Sequence, residues 1–553
     1  MTIKLLAQYG RAPAGALLTT LDAATEAALV AAGQATTNLG GGTAWTDPYS
    51  VTPAGQVAVV LDRATGVAIA NDTAIAGASP LRSALFVGDS LTDYARVGLA
   101  AASITLISPG VIRVVRTSHS LSVGQYFGTT AGSADACTMR AQVTSVIDVN
   151  TFDALMVGPM HTVTGAAPSI LIEDRASTRG WPTWLDSISG QPLQRTWAAI
   201  GGASMSNLIE LLPRLPAGQE DMAFVCIGMN DIYSRGDSLA AMKANFVSLM
   251  ALVKKRSGRI CVLSVPPRNS ADGAWSAGKQ TIHTGFNKFL YDQCVANGWE
   301  FVNTARAKQG GAAYVNAAAS NPDPTVGFTH DNTHPNMRGA KAIADEVWAT
   351  VSKWFGPKGL TAAHPSAIGA DVGNLLTGSD FPTDTAGVVT GWTKTSPTPN
   401  MVATFTREAR TVATDGDACG SNQVMTIDIG TAGASANVRF QKSGIQALLT
   451  AGKKYYLAVP FSVTNALGLT GLELNMSGTR ADGTFWFVTG NHMDSNAGTL
   501  VGNFSGWLIT PVSTCPPNLT SLDIWVRPYI SSAQTAGNPL VLKAWQPVLS
   551  EVP

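Results

Sequence analysis

The stretch Leu85-Phe86-Val87-Gly88-Asp89-Ser90-Leu91-Thr92-Asp93 sets a serine directly after an apolar run. Residues 84–87 read as a buried strand, and Gly88-Asp89-Ser90 turns the backbone at its carboxyl end. Open α/β sheets place their chemistry there. A serine hydroxyl at such a turn can attack an acyl carbon once a base removes its proton. The chemistry in view is acyl transfer. It requires a base, a group to orient that base, and donors for an oxyanion.

The tetrapeptide alone does not decide the matter, because Gly-Asp-Ser-Leu occurs twice. The copy at 236–239 follows polar Ser234-Arg235 and precedes a strong helical pattern, so Asp237 or Ser238 reads as a helix N-cap. Only Ser90 follows an apolar strand.

The elements that would carry partners for Ser90 lie downstream. A run at 196–200 ends in Gly201-Gly202-Ala203-Ser204, and a run at 223–227 ends in Gly228-Met229-Asn230-Asp231. A helix follows, with Leu239, Met242, Phe246, Leu249, Met250 and Val253 at helical spacing, closed by Lys254-Lys255-Arg256 and Gly258. A strand at 260–265 stops at Pro266-Pro267, and a helix through Ile282, Phe286, Phe289, Leu290 and Cys294 leads to a short strand at 301–302. Strands alternating with amphipathic helices imply a parallel sheet. The loop Thr329-His330-Asp331-Asn332-Thr333-His334-Pro335-Asn336 precedes a last helix whose inner stripe is Met337, Ala340, Ile343, Ala344, Val347, Trp348 and Val351. Asn336 can cap it. Asp331 and His334 therefore sit on a constrained loop.

The ordered set Gly88-Asp89-Ser90-Leu91, Gly202-Ala203-Ser204, Gly228-Met229-Asn230-Asp231 and Asp331-Asn332-Thr333-His334-Pro335 resembles the SGNH (GDSL) hydrolase family over residues 83–355. The resemblance implies a flavodoxin-like three-layer α/β/α fold and ester hydrolysis through an acyl-enzyme. It makes Ser90 the nucleophile and His334 the base, oriented by Asp331. The oxyanion hole would be the Ser90 and Gly202 backbone N–H groups and the Asn230 side chain. Where the family has Gly-Val-Ser-Gly or similar, Ala199-Ile200-Gly201-Gly202 keeps only the last glycine. His330 can be a substrate contact or a solvated loop histidine, and Asp231 reads as a residue that ties down its own turn. No metal or cofactor is expected.

Length and composition set the surroundings. With 553 residues the chain exceeds a single core, and charged residues are only 13%, with 37 acids against 37 bases. That is about half the usual charged share, and no basic block suggests nucleic acid. A neutral ligand such as a sugar polymer fits better. The amino terminus shows no secretory signal pattern and no apolar run is long enough to span a bilayer, so synthesis in a cytoplasm without a signal peptide is expected. Cysteines 137, 226, 261, 294, 419 and 515 show no metal-ligand spacing; Cys226, Cys261 and Cys294 lie in apolar patterns and read as buried free thiols, and a bridge between Cys419 and Cys515 stays open.

Three domains are expected. Residues 1–80 contain a helix at 21–30, a Gly40-Gly41-Gly42 link and a strand at 57–61; this unit resembles amino-terminal segments of phage tail proteins and implies an attachment role. The hydrolase domain spans 81–358. Within it, residues 101–160 change to short β-type runs, and His119-Ser120-Leu121-Ser122-Val123-Gly124-Gln125 with Val143-Thr144-Ser145-Val146 and Asn150-Thr151-Phe152 resembles a small β-module of phage tail and fibre proteins. His119 and His161 fall in or beside this module and receive no catalytic role. After a linker near 359–370, residues 371–553 are β-type throughout and predict a sandwich or jelly roll. The opening Asn374-Leu375-Leu376 with Asp380-Phe381 and Trp392, and the closing Val541-Leu542-Lys543-Ala544-Trp545, resemble jelly-roll carbohydrate-binding modules. Aromatic faces of Trp486, Trp507, Trp525 and Trp545 can stack on sugar rings or fill the core, and strand alternation favours the core for any single one.

Together these resemblances imply a tailspike or tail-fibre deacetylase acting on an acetylated bacterial surface polysaccharide. Its partners would be phage tail or baseplate proteins, its location the virion and, by analogy, its state a homotrimer. Two other readings remain: a lipase or thioesterase of the same family acting on small or lipid esters, and a non-catalytic receptor-binding protein.

Overall fold

The structure, a computed structural model, describes residues 82–130, 136–161, 168–268, 275–305, 328–329, 331, 333–355, 374–395, 397–411, 420–431, 436–492, 503–531, 534 and 537–552. In the amino-terminal region it describes the backbone of 3–5, 16–18, 35–36 and 43–44. The expected helix at 21–30, the triple glycine, the strand at 57–61, His330, the linker at 359–370 and Cys419 lie outside the described residues.

The chain divides into two units, Met1–Ser79 and Pro80–Pro553. In the first, the short strands Ile3–Leu5, Ala16–Leu18, Ala35–Thr36 and Thr43–Ala44 form a four-stranded sheet.

The second unit is built around a five-stranded parallel sheet. Its strands are β1 (Ser83–Gly88), β3 (Gln194–Ala199), β4 (Met222–Cys226), β5 (Ile260–Leu263) and β6 (Glu300–Val302), in the order β3-β1-β4-β5-β6. The strand between β1 and β3 in the chain is β2 (Ser169–Ser177). The helices are α1 (Ser90–Asp93), α2 (Trp181–Ser189), α3 (Met205–Leu211), α4 (Leu239–Val253), α5 (Ala277–Asn297) and α6 (Met337–Val351). The parallel strands are apolar because both faces are covered: Ala84 to Val87 and Met222 to Cys226 are all buried. The rings of Phe86, Trp181, Trp197 and Phe224 pack under the sheet, with Phe86 5.1 Å from Trp197 and 5.3 Å from Phe224. The stripes read from helical spacing are inward: Met242, Phe246, Leu249, Met250 and Val253 on α4, and Met337, Ala340, Ile343, Ala344, Val347 and Val351 on α6, are buried. Ser238 caps α4, its Oγ accepting the Ala241 N–H at 3.2 Å, which places the second Gly-Asp-Ser-Leu in a structural role.

Between α1 and α2 the chain leaves the parallel sheet for an antiparallel excursion, starting at Arg96–Ala100 and returning along β2. It is thus wider than 101–160. Its own core holds Ile112, Val114, Phe127, Phe152 and Ile170. His119 is part of that packing: Nδ1 accepts the Leu121 N–H at 3.0 Å and Nε2 lies 3.0 Å from the Asp148 carbonyl. His161 Nε2 donates to the Thr129 carbonyl at 2.8 Å.

Residues 374–552 carry two facing sets of antiparallel strands. Trp486, Trp507 and Trp525 are buried, and Trp545, half-buried, lies under the Arg410 guanidinium at 4.4 Å. Cys515 is a buried free thiol. One of these sheets does not end within the β domain. Its edge strand β7 (Phe485–His492) pairs in parallel with β2, Arg175 opposite Thr489, so a single sheet runs from the sandwich through β2 into the excursion.

Candidate active site

Ser90 opens α1 at the carboxyl end of β1. Asp89 caps that helix, its Oδ1 accepting the Leu91 N–H at 3.0 Å. A first-turn N–H has no intrahelical acceptor, so the Ser90 N–H is available to a ligand beside its own hydroxyl.

His334 arrives from the other end of the domain. Ser90 Oγ lies 2.8 Å from His334 Nε2, across 244 positions of chain. Asp331 Oδ2 lies 2.5 Å from His334 Nδ1, and Asp331 Oδ1 accepts the His334 and Thr333 backbone N–H groups at 2.7 and 3.1 Å. With a carboxylate facing Nδ1, the ring carries its proton there and leaves Nε2 to accept the Ser90 hydroxyl proton. The loop is fixed at its base: Asn336 N–H donates to the Phe328 carbonyl at 3.1 Å, and Asn336 Oδ1 accepts the Gly339 N–H at 2.9 Å to cap α6. Arg268 donates to Thr333 Oγ1 on the same loop, and its guanidinium stacks on Tyr233 at 3.6 Å.

Tyr94, the residue after α1, packs its ring 4.7 Å from that of His334. Arg179 lies over the Tyr94 ring at 4.4 Å.

Gly201 and Gly202 form a tight turn, the Ala203 N–H donating to the Ile200 carbonyl at 3.0 Å. Gly202, third residue of the turn, has φ +85°, which a side chain tolerates poorly. The turn stands against Ser90: a Cβ on Gly201 would sit 3.9 Å from Ser90 Cβ. Gly202 is exposed, and its N–H belongs to the middle peptide, which the turn's own bond does not use. Asn230 Nδ2 donates to the Ala203 carbonyl at 3.1 Å, leaving its second amide hydrogen for a ligand. Thus Ser90, His334 and Asp331 form one connected chain, and Gly202 and Asn230 border it. Asp231 does more than close its own turn: both carboxylate oxygens accept the Met205 N–H, at 3.1 and 3.3 Å, at the start of α3.

Sequence reading missed the second layer. Asp93 is buried, with Oδ1 accepting from Arg96 Nε at 3.1 Å and Nη2 at 2.6 Å, and Oδ2 accepting the Gly201 N–H at 3.0 Å. The signal available was Asp93 and Arg96 at a three-residue spacing just after Ser90. Asp89 lies close enough to Asp231 and to Asp93 for their charges to act on it. Burial, with the Asp231 and Asp93 charges adding to it, pushes the Asp89 carboxyl up to about 7. Burial likewise raises Asp231 to about 6.

Residues 163–342 match the model of the GDSL-like lipase/acylhydrolase family. Over that segment the chain is similar to GDSL-type acylhydrolases. The matched segment contains Gly202, Asn230, Asp331 and His334 but begins after Ser90, which the fold returns to them across the antiparallel excursion. Solved structures with detectable similarity include an acetyl xylan esterase from Geobacillus stearothermophilus, at 14% identity, TM-score 0.28, covering 49% of this chain and 95% of that one. The C-terminal family 22 carbohydrate binding module of Clostridium thermocellum Xyn10B matches at 16% identity, TM-score 0.22, covering 30% of this chain and 88% of that one. Tailspike protein 4 of bacteriophage CBA120 matches at 13% identity and TM-score 0.22, over 32% of this chain; the chain spans only 22% of that structure. No curated protein matches.

Proposed function

We propose that the chain is a serine esterase that removes O-acetyl or other short acyl groups from a bacterial surface polysaccharide, as part of a phage tailspike or tail fibre. The observation that carries the esterase reading is the continuous contact from Ser90 Oγ to His334 Nε2 and from His334 Nδ1 to Asp331. In this reading Ser90 Oγ attacks the ester carbonyl carbon while its proton passes to His334 Nε2. The carbonyl oxygen becomes an oxyanion facing the Ser90 and Gly202 N–H groups and the Asn230 amide. Collapse breaks the bond to the sugar oxygen, which takes the proton from His334, and leaves the acyl group on Ser90. Water then attacks that ester, giving its proton to His334; acetate departs as Ser90 recovers the proton.

The helices support a three-layer, flavodoxin-like reading of the domain: α2 packs on α6, and α3, α4 and α5 form a second group. The polysaccharide substrate is supported by the near absence of net charge and by the resemblance of residues 374–553 to sugar-binding jelly rolls. The phage setting and a trimeric state rest on the resemblance of the first unit and of the excursion to tail proteins.

The test is proton NMR of acetylated host polysaccharides before and after treatment, with Ser90→Ala and His334→Ala as controls. Acetyl resonances should give way to free acetate with the wild type only, while both variants still bind polymer. Unchanged acetate release by Ser90→Ala would remove this site as the catalyst. Faster turnover of octanoyl than acetyl esters would favour a lipase.

A further inference from the structure

We infer that Asp93 is a positioning residue for the oxyanion turn, an assignment that rests on the esterase reading above. Asp93 stands one helical turn after Ser90 on α1, with only 1% of its side chain exposed. One carboxylate oxygen holds the Gly201 N–H at 3.0 Å. The other holds Arg96, whose Nη2 also donates to the Ala199 carbonyl at 3.2 Å and whose guanidinium lies 5.1 Å from the centre of the Trp197 ring. The Asp93–Arg96 pair therefore grips β3 at its last residue and the turn at its first glycine, on either side of Ile200. With the Gly201 N–H held by Asp93 and the Ala203 N–H bound to the Ile200 carbonyl, the peptides on both sides of the one between Gly201 and Gly202 are held, and Gly202 keeps its φ of +85°. The peptide between Gly201 and Gly202 carries the Gly202 N–H.

The far side of the turn is held separately. Asn230 Nδ2 grips the Ala203 carbonyl, and Asp231 grips the Met205 N–H. The helix bearing the nucleophile and the loop bearing Asn230 thus meet on one four-residue turn, Asp93 making the link from the nucleophile's side. Gly201 itself has no side chain through which a substitution elsewhere could replace that link.

The Asp93 carboxylate touches neither Ser90 Oγ nor His334, so its removal should leave the proton relay intact and misplace a donor. The experiment compares Asp93→Asn and Asp93→Ala with the wild type on p-nitrophenyl acetate. Active serines are counted by stoichiometric labelling with a fluorophosphonate, and thermal melts are run in parallel. Losing one oxyanion donor typically lowers turnover by roughly 10²–10³-fold; a misplaced donor should lower kcat per labelled serine by about 10- to 100-fold, with KM within about twofold. Asp93→Asn, which keeps one acceptor oxygen, should recover part of the loss seen in Asp93→Ala. A purely structural role would reduce the number of labelled serines and leave kcat per labelled serine unchanged, and that result in Asp93→Asn overturns the assignment even if Asp93→Ala does not fold. A wild type that neither turns over the ester nor labels at Ser90 overturns the esterase reading itself, and this assignment with it.

Discussion

Asp331 holds His334 at two points, its Oδ1 on the backbone N–H at 2.7 Å and its Oδ2 on ring Nδ1 at 2.5 Å. The first contact shapes the loop and the second selects the tautomer. Asp331→Asn separates them. The asparagine oxygen can still accept the backbone N–H, but its amide group then faces Nδ1 and favours the proton on Nε2, where it blocks transfer from Ser90. Turnover of p-nitrophenyl acetate should fall by roughly 10³–10⁴-fold, as expected when the orienting carboxylate of such a triad becomes an amide, while the melting temperature stays within a few degrees. Asp331→Ala should lose both contacts and melt lower. Equal turnover in Asp331→Asn and the wild type would show that this carboxylate does not set the tautomer.

Asp89 gives a pH dependence of stability with a definite sign. Burial raises its carboxyl from 3.8 to about 7, so between those values the folded chain holds a proton that the unfolded chain has released. Its contribution is fully present below about pH 4 and is lost as pH rises through 7. Asp89→Asn keeps an oxygen to cap Leu91 and removes the buried charge. Relative to the wild type, the variant should gain stability as pH rises from 5 to 8, by on the order of 1–3 kcal/mol. Urea denaturation at the two pH values measures this, and a constant difference between the proteins would contradict it.

Gly180 is the hinge between β2 and α2, and its close neighbour is backbone. A Cβ there would lie 2.1 Å from Ala95 Cα and 2.3 Å from Ala95 N. The same segment is pinned by Ser177 N–H donating to the Ala95 carbonyl at 2.9 Å. Since Ala95 adjoins Tyr94, whose ring lies against His334, relief of the clash must displace either α2 or the wall of the active site. Gly180→Ala should therefore cost about 2 kcal/mol or more, in the range of overpacked cores, read as a lower urea midpoint. Wild-type stability and turnover in this variant would mean that the segment yields freely.

The parts of this architecture written in local patterns were legible in the sequence. Ser90, Gly202 and Asn230 each follow an apolar strand, and the α4 and α6 stripes repeat at helical spacing. What escaped reading depends on partners distant in the chain. In α2 every residue except Ile188 is buried; its polar residues Thr183, Asp186 and Ser187 share one face, but that face is covered, Asp186 by Arg195, and the helix is only nine residues long. Asp93 and Arg96 look like solvated charges until Gly201 and Ala199 are brought to them. The pairing of β2 with β7 joins segments some three hundred residues apart, and no periodicity within either strand announces it.

That pairing leads to the last prediction. The sandwich meets the α/β domain over a tight seam: a Cβ on Gly506 would lie 2.9 Å from the Ser187 carbonyl oxygen of α2, one on Gly190 2.7 Å from Trp507 Nε1, and the rings of Trp184 and Phe504 sit 6.2 Å apart. Gln125 Nε2, from the excursion, reaches Asp174 Oδ2 on β2 at 3.1 Å and the Phe487 carbonyl on β7 at 3.4 Å. A sugar-binding appendage on a flexible tether would unfold on its own, but surfaces that share a sheet and bury tryptophans between them lose that packing together. Calorimetry should show one transition for residues 80–553, with esterase activity lost at the same temperature. Gly506→Val, although within the sandwich, should lower that temperature for both parts, because its side chain meets backbone of α2. Two separate transitions, with activity following only the one that Gly506→Val leaves unmoved, would show that the seam does not couple them.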